Sequence, residues 1–216
     1  MGLVSRLLGR EPDADRRGED VAARLEALAQ LDPMWSTETL RRRVRDVFFA
    51  VERSWIERDP AVGEPYMAEQ LAASQRLRIE GLVRQHRVHQ LENPLIEDLD
   101  FVACDETAPS VTALLDMSMV ETILDADNGA LVAGRAGQKV RRRQYWTFDW
   151  QGSEWRLADV EQPDAGARHL TAPMVGGDFA SLSPEMILRE RYASGEIELD
   201  EFEHEMAALL QREPTN

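Results

Sequence analysis

The sequence predicts an α+β fold: helices in the first part pack on a curved antiparallel meander, and a two-helix hairpin follows at the C-terminal end. Three observations predict it. Apolar residues recur at helical spacing up to about residue 90, and the period then changes to two between residues 95 and 161. A Gly/Pro-rich stretch next separates the meander from a second, short helical pattern. With 43% hydrophobic and 30% charged residues in 216, the chain is globular, with room for one ordinary core and a few tens of residues besides.

Residues 1–31 read as an N-terminal arm and a short helix. Leu3, Val4, Leu7 and Leu8 have helical spacing with Arg6 and Arg10 opposite, a run too short for the apolar part of a signal peptide. A frayed end is favoured over contact of residues 1–10 with a membrane or a partner, and the second reading stays open. Residues 11–20, charged and holding Pro12 and Gly18, read as a loop. Val21, Leu25, Leu28 and Leu31 then give a helix over 21–31, stopped by Asp32-Pro33.

Residues 32–162 read as the main binding domain. Ser36 or Thr37 caps a helix whose stripe is Leu40, Val44, Val47, Phe48, Val51 and Trp55, ending by Asp59-Pro60. A second helix is expected from 64 or 65 to 90, with Tyr66, Met67, Leu71, Leu77, Leu82 and Val83 on its core face. Strand 95–104 puts Leu95, Leu99, Phe101 and Ala103 on one side. Strand 111–124 puts Val111, Ala113, Leu115, Met117, Met119 and Ile123 together. A hairpin connection at 125–129, extending as a loose excursion to 137, leads to strand 140–150. There Val140, Gln144, Trp146, Phe148 and Trp150 oppose Arg141, Arg143, Tyr145 and Thr147. The last strand is 155–161. Consecutive hairpin-linked strands form one curved meander, and the two preceding helices cover its concave face.

Residues 163–182 read as a linker, and 183–212 as a helical hairpin. Pro184 opens its first helix, Ser194-Gly195 ends it, and Asp200 caps the second. From Pro163 onward there are 11 acids against four arginines. So small a hairpin needs a surface to dock on: its own domain, a second copy or a partner.

The net charge of −15 argues against nucleic acid as the partner, since a phosphate backbone needs a basic face. Arg41, Arg42, Arg43 and Arg45, and Lys139 with Arg141, Arg142 and Arg143, are local exceptions, read as solvated faces. Cys104 is the one cysteine and lies in an apolar run, so it reads as a small core residue. Lys139 is the one lysine among 25 basic residues, which reads as coding bias in a GC-rich genome. No stretch of the sequence approaches the roughly 18 apolar residues that span a bilayer. The chain is expected in the cytoplasm, with the inner face of the membrane as its alternative place.

Two resemblances rest on motifs. The run Phe48-Phe49-Ala50-Val51-Glu52-Arg53-Ser54-Trp55-Ile56-Glu57-Arg58-Asp59, then Tyr66-Met67, then Glu92-Asn93-Pro94-Leu95-Ile96-Glu97-Asp98-Leu99 resembles the Tim44-like family, in its bacterial members. Tyr145-Trp146-Thr147-Phe148 and Trp155-Arg156-Leu157 complete the likeness, which covers about 32–162. That family includes the C-terminal domain of the mitochondrial import-motor anchor, and the resemblance implies a cone similar to nuclear transport factor two. Family members often carry a membrane-spanning or basic membrane-binding segment upstream, which this sequence lacks. Residues 183–210 resemble the short C-terminal (SHOCT) domain, through Leu188-Arg189-Glu190-Arg191-Tyr192-Ala193-Ser194-Gly195-Glu196-Ile197-Glu198-Leu199-Asp200-Glu201-Phe202. This implies an interaction or oligomerisation piece.

Small enzymes such as ketosteroid isomerases and polyketide cyclases share the cone, and they need a carboxylate or a His-Asp pair in an apolar pocket. Here the inward faces are Leu, Met, Phe, Trp and Ala, with Gln144 and Glu121 the main polar candidates. Asp116 and Asp159 join them if the strand faces slip by one residue. His86 and His89, at i and i+3, have a metal-compatible spacing but no third ligand, and read as surface. No phosphate loop, nucleophile elbow or dinucleotide fingerprint occurs.

The sequence therefore reads as a non-enzymatic adaptor without cofactor, metal or catalytic residue. Met117, Met119, Gln144, Trp146, Phe148 and Trp150 would line the open mouth of the cone and hold an apolar peptide, protein segment or lipid. Tyr192 and Phe202 would serve the tail's docking or homo-oligomerisation. The competing reading of each mouth residue is core. The alternatives for the whole chain are an isomerase or cyclase with a buried carboxylate, and a structural scaffold.

Overall fold

The computed structural model describes residues 12–172 together with residues 201, 202 and 204. Helix α1 spans Pro12–Leu31, so nine residues of the charged stretch 11–20, expected as a loop, are helical. Pro12 instead opens the helix, where a missing N–H does no harm, and Asp13 and Asp15 sit in its first turn. Asp13, Arg16, Glu19 and Asp20 face solvent, and two arginines of the helix are anchored. Arg17 Nε donates to Val102 O (2.7 Å), and Arg24, 6% exposed, pairs with Glu106.

Asp32 then accepts from Met34 N (2.9 Å) to cap a 3₁₀ turn, Pro33–Trp35. Trp35 is buried edge-on against Trp155, with ring centroids 5.2 Å apart. Helix α2, Thr37–Glu57, buries Leu40, Val44, Val47, Phe48 and Val51 as the stripe requires. It closes on Arg58, whose left-handed φ of 57° lets its N–H reach the Ser54 and Trp55 carbonyls.

The expected helix 64–90 is shorter. Two 3₁₀ turns, Pro60–Val62 and Glu64–Tyr66, precede it, and α3 runs only from Glu69 to Arg84. The late start changes the phase. Ala72 and Ile79 are buried, whereas Leu77 is 63% exposed and Val83 also faces solvent. Met67 is buried, as expected, but as a bridge partner of Leu157 rather than a helical residue. Residues 87–90 belong to the sheet.

The sheet has the order β1-β2-β3-β4, antiparallel throughout: β1 Arg87–Asp105, β2 Ser110–Asp125, β3 Leu131–Trp150 and β4 Trp155–Glu161. Bulges bend it. One follows Glu92, where Asn93 takes φ 52° and breaks the expected alternation, leaving Leu95 exposed. Another lies between Phe101 and Ala103 and returns Cys104 to the core. In β3 the strand resumes at Leu131, so the expected excursion to 137 narrows to residues 135–138, looped out opposite Glu121. Gly134 beside it has φ +87°, and a Cβ there would lie 2.4 Å from Glu121 O.

The inner face of the sheet carries Leu99, Phe101, Val111, Ala113, Leu115, Met117, Met119, Trp146, Phe148 and Leu157. Beneath α2 and the second half of α1, these make the main core. A smaller cluster on the outer face joins Val102, Leu114 and Tyr145 to Ala14 of α1 and to Leu170. Residues 163–171, read from sequence as linker, supply that cover as two short helices, α4 (Pro163–Gly166) and α5 (Arg168–Thr171). Tyr145 stacks on His169 (5.9 Å), and His169 Nε2 meets Glu161 (2.8 Å). Of the two basic clusters, Arg42, Arg45 and Arg141 face solvent as expected, and the other members have protein partners. Arg41 and Arg43 donate to Leu99 O and Trp155 O (both 2.6 Å), while Lys139, Arg142 and Arg143 pair with Glu97, Glu121 and Asp116.

Candidate functional site

Toward the β2–β3 hairpin, the inner face changes character. Leu91 and Met119 are its last fully buried apolar residues on β1 and β2. Beyond them come His89, Glu121 and Arg142, one from each of three neighbouring strands, and α2 lays Glu52 and Trp55 over them. His89 Nε2 donates to Glu121 Oε1 (2.8 Å), and the other oxygen of Glu121 accepts from Arg142. The edge of Trp55 meets the imidazole at 5.5 Å and 88°. Nδ1 of His89 is buried and has no hydrogen-bond partner among the described residues.

Two carboxyls in this cluster are driven apart. The hydrogen bond from His89 is the main cause holding Glu121 down at about 2, with Arg142 assisting against burial. Burial pushes Glu52 up to about 7, helped by the negative Glu121 and opposed by His89 and Arg142. Near neutrality one acid is thus fully ionised and its neighbour sits at its midpoint, the arrangement that acid–base chemistry uses.

Two hollows flank the cluster. One, of about 560 Å³, is lined by Glu121, Thr122, Gly134, Arg135, Val140 and Arg142. The other, about 530 Å³, lies along α2 between Arg43, Phe49, Glu52, Ile56, Tyr66 and Pro94. In the second, Phe49 is 51% and Ile56 41% exposed.

Of the sequence candidates, Glu121 lines the first hollow, while Met117, Met119, Gln144, Trp146, Phe148 and Trp150 line neither. Met117, Met119, Trp146 and Phe148 are packed inside the core with at most 4% of their surface exposed, because α2 closes over them. Gln144 Oε1 accepts from Trp146 Nε1 (3.1 Å), and Trp150 is half-buried, edge-on to Trp155 at 5.4 Å. Phe202 is a half-buried helical residue, and Tyr192 lies outside the described residues. Of the acids weighed from sequence, Glu121 is inside the cluster. Asp116 is clamped by Arg143 (2.8 and 2.9 Å), and Asp159 is exposed. The His86/His89 pair dissolves because α3 ends at Arg84: His86 meets Asp127 (3.0 Å) at the turn, and His89 is a strand residue. Glu52 was missed. Four residues after Phe48, it stands only about 40° beyond the apolar stripe of its helix, and a stripe edge was the signal available.

A family model described as Tim44-like domain matches residues 21–162. The chain belongs to the Tim44-like family. No curated protein matches it. Solved structures similar to this Tim44-like chain include the intermembrane space region of the chloroplast protein ARC6, at 12% identity and a TM-score of 0.44, covering 59% of this chain and 95% of that one. Another, from Xanthomonas campestris pv. campestris, is described as a "putative polyketide cyclase" (14% identity, TM-score 0.31, covering 60% of this chain and 98% of that one). Both likenesses are distant, so the assignment rests on the family match and on the sheet itself. Among the described residues of this Tim44-like protein, no helix is long and apolar enough to cross a membrane.

Proposed function

We propose that this chain is a non-enzymatic adaptor, with a cone like that of nuclear transport factor two, which binds an apolar segment of another protein along α2. The observation that carries the reading is the pair of exposed apolar side chains, Phe49 and Ile56, in a groove walled by Tyr66 and Pro94 on a Tim44-like domain. The groove is backed by stiff packing. Phe49 meets Phe48 edge-on (5.2 Å), and Phe48 meets the buried Trp146 (6.0 Å). Met117, Met119, Trp146 and Phe148 therefore act as the floor that fixes Phe48. Arg43 and Arg53, with Asp46 and Glu52, supply a polar rim of both signs around the apolar strip. In this reading the tail, with Tyr192 and Phe202, serves docking or self-association. The cytoplasm, or the inner face of a membrane reached through residues 1–10, is where the protein acts.

The test is site-specific photo-crosslinking from position 49 in cells, followed by titration of the captured protein against the purified wild-type chain and the F49D and I56D variants. Expected is a weakening of at least about tenfold in both variants, with unchanged circular dichroism. Equal affinities would overturn the groove, and crosslinks to lipid alone would move the ligand class to an acyl chain.

A second reading has its own observation. Glu52, near its midpoint at neutral pH beside an ionised Glu121, is the raised-pKa acid that an isomerase or cyclase requires. In that reading Glu52 takes a proton from a carbon beside a carbonyl, and His89 or Arg142 faces the enolate oxygen. Incubation with enolisable ketones in D₂O, followed by NMR, decides it. Deuterium uptake by the wild type that E52Q abolishes would support it, and uptake at the uncatalysed rate in both would end it.

A further inference from the structure

The exposed apolar pair on α2 sits inside a pattern of charge. Phe49 (51% exposed) and Ile56 (41%) are about two turns apart on the helix. Arg42, Asp46, Arg53 and Glu57 are exposed along the same stripe. At about 100° per residue, these four fall to one side of the line through Phe49, and Arg45 and Ile56 fall to the other. Arg53 and Glu57 form a loose ion pair of 3.8 Å, more than half exposed at both ends. The side chains of Arg42 and Asp46 make no ion pair or hydrogen bond among the described residues.

This order of charges is complementary to itself in the antiparallel sense. With a twofold axis midway between Phe49 and Ala50, Arg42 lies level with Glu57 of the second copy, and Asp46 lies level with Arg53 of the second copy. An axis normal to the plane of two antiparallel helices also keeps these partners on one side of the seam. The Arg53–Glu57 pair is not broken. It gains Asp46 of the second copy at one end and Arg42 of the second copy at the other, a row of alternating sign that the symmetry makes twice. Arg45 and Arg53 are level and alike in charge, but they stand on opposite sides of the seam. Phe49 meets its symmetry mate at the axis, and Ile56 packs on the aliphatic stem of Arg42 of the second copy. Parallel pairing would set every charge against itself.

We infer that two copies of this chain pair through α2 in this antiparallel register, each covering the other's groove. The inference rests on the reading of α2 as a binding face and adds its regulation: another protein reaches Phe49 only by displacing the second copy. The helix is about 30 Å long, so the contact is short and of the weak, reversible kind that displacement requires. Exposed ion pairs add little affinity. Here they fix the register, and burial of Phe49 and Ile56 provides the attraction.

Sedimentation equilibrium of the full chain at about 0.15 M salt tests it. The screening length there, about 8 Å, damps the −15 charge of each copy while leaving pairs in contact intact. Expected is a dimer that D46R weakens at least about tenfold, because each dimer then opposes two pairs of arginines. The inverted chain R42E/D46R/R53E/E57R keeps the alternating row with its signs exchanged. It should pair with itself as the wild type does, yet not with the wild type, as read by energy transfer between differently labelled chains. A wild type that stays monomeric at about 1 mM, a dimer indifferent to D46R, or free mixing of inverted and wild-type chains would each overturn the inference. Crosslinks from position 49 to another protein, made by a chain that is itself monomeric, would overturn it and leave the adaptor reading standing. The expected dimer without any such crosslink would support it and count against the adaptor reading alone.

Discussion

Replacing Glu52 by Gln removes a charge from the closed end of the sheet while keeping the shape of the side chain, and it should change how stability depends on pH. The carboxyl titrates at an ordinary 4.5 when unfolded and at about 7 when folded, with burial as the main cause. Between these values the folded state holds a proton that the unfolded state releases. The neutral form's advantage is therefore complete below pH 4.5 and is lost as pH rises through 7. At ~1.36 kcal/mol per pKa unit, the folded protein loses about 3 kcal/mol from this residue between pH 4.5 and pH 8. E52Q escapes that loss. At pH 8 it should be more stable than wild type by about 2–3 kcal/mol, or roughly 4–12 °C in Tm for a domain of this size. At pH 4.5 the two should nearly coincide. Urea titrations at half-unit pH steps give the comparison directly, provided the m-values agree. Parallel curves for the two proteins from pH 4.5 to 8 would refute the placement of Glu52 in a desolvated cluster.

The partner carboxyl should behave in the opposite sense. Glu121 is held at about 2 chiefly by the His89 hydrogen bond, so its contribution is present above pH 4.5 and disappears as pH falls toward 2. E121Q should cost about 1–3 kcal/mol at pH 7 and flatten acid denaturation, as monitored by tryptophan fluorescence. Gly134→Ala forces a side chain into φ +87° with a carbonyl oxygen 2.4 Å from the new Cβ. A loss of about 2–3 kcal/mol is expected in thermal melts, whereas Gly129→Ala, with open space around its Cβ, should lose less. Phe148→Ala, at a site with 1% exposure, should cost about 3–5 kcal/mol in chemical denaturation. A much smaller loss would mean that the interior is not closed.

Part of this architecture is written in residue order alone. The stripe Leu40, Val44, Val47, Phe48 and Val51 admits only a half-buried helix, and each of those residues is buried. The run Val111, Ala113, Leu115, Met117, Met119 admits only a strand with one covered face, and its partner Trp146, Phe148 follows the same period. Where the pattern was weaker, local signals misled. Pro12, in a charged stretch that reads as a loop, is a helix start, and the phase expected for the second helix from residue 64 is reset by the 3₁₀ turn Glu64–Tyr66. The glycines and prolines after residue 162 suggested a linker, yet Gly166 lies so close to Tyr145 that a Cβ would come within 2.1 Å of its ring.

The site shows the same division more sharply. Sequence by itself determined the layers, the antiparallel order and which strand faces are apolar, because those follow from periods that each element carries within itself. It did not determine whether the apolar wall of Met117, Met119, Trp146 and Phe148 lines an opening or fills a core, since that depends on how closely α2 approaches. Nor did it join Glu52, His89, Glu121 and Arg142, which are separated along the chain and meet only where one helix crosses three strands beyond the last buried methionine. Burial and the fields of neighbouring charges, the two causes that set Glu52 near 7 and Glu121 near 2, are properties of that crossing, and only the tertiary structure decides them.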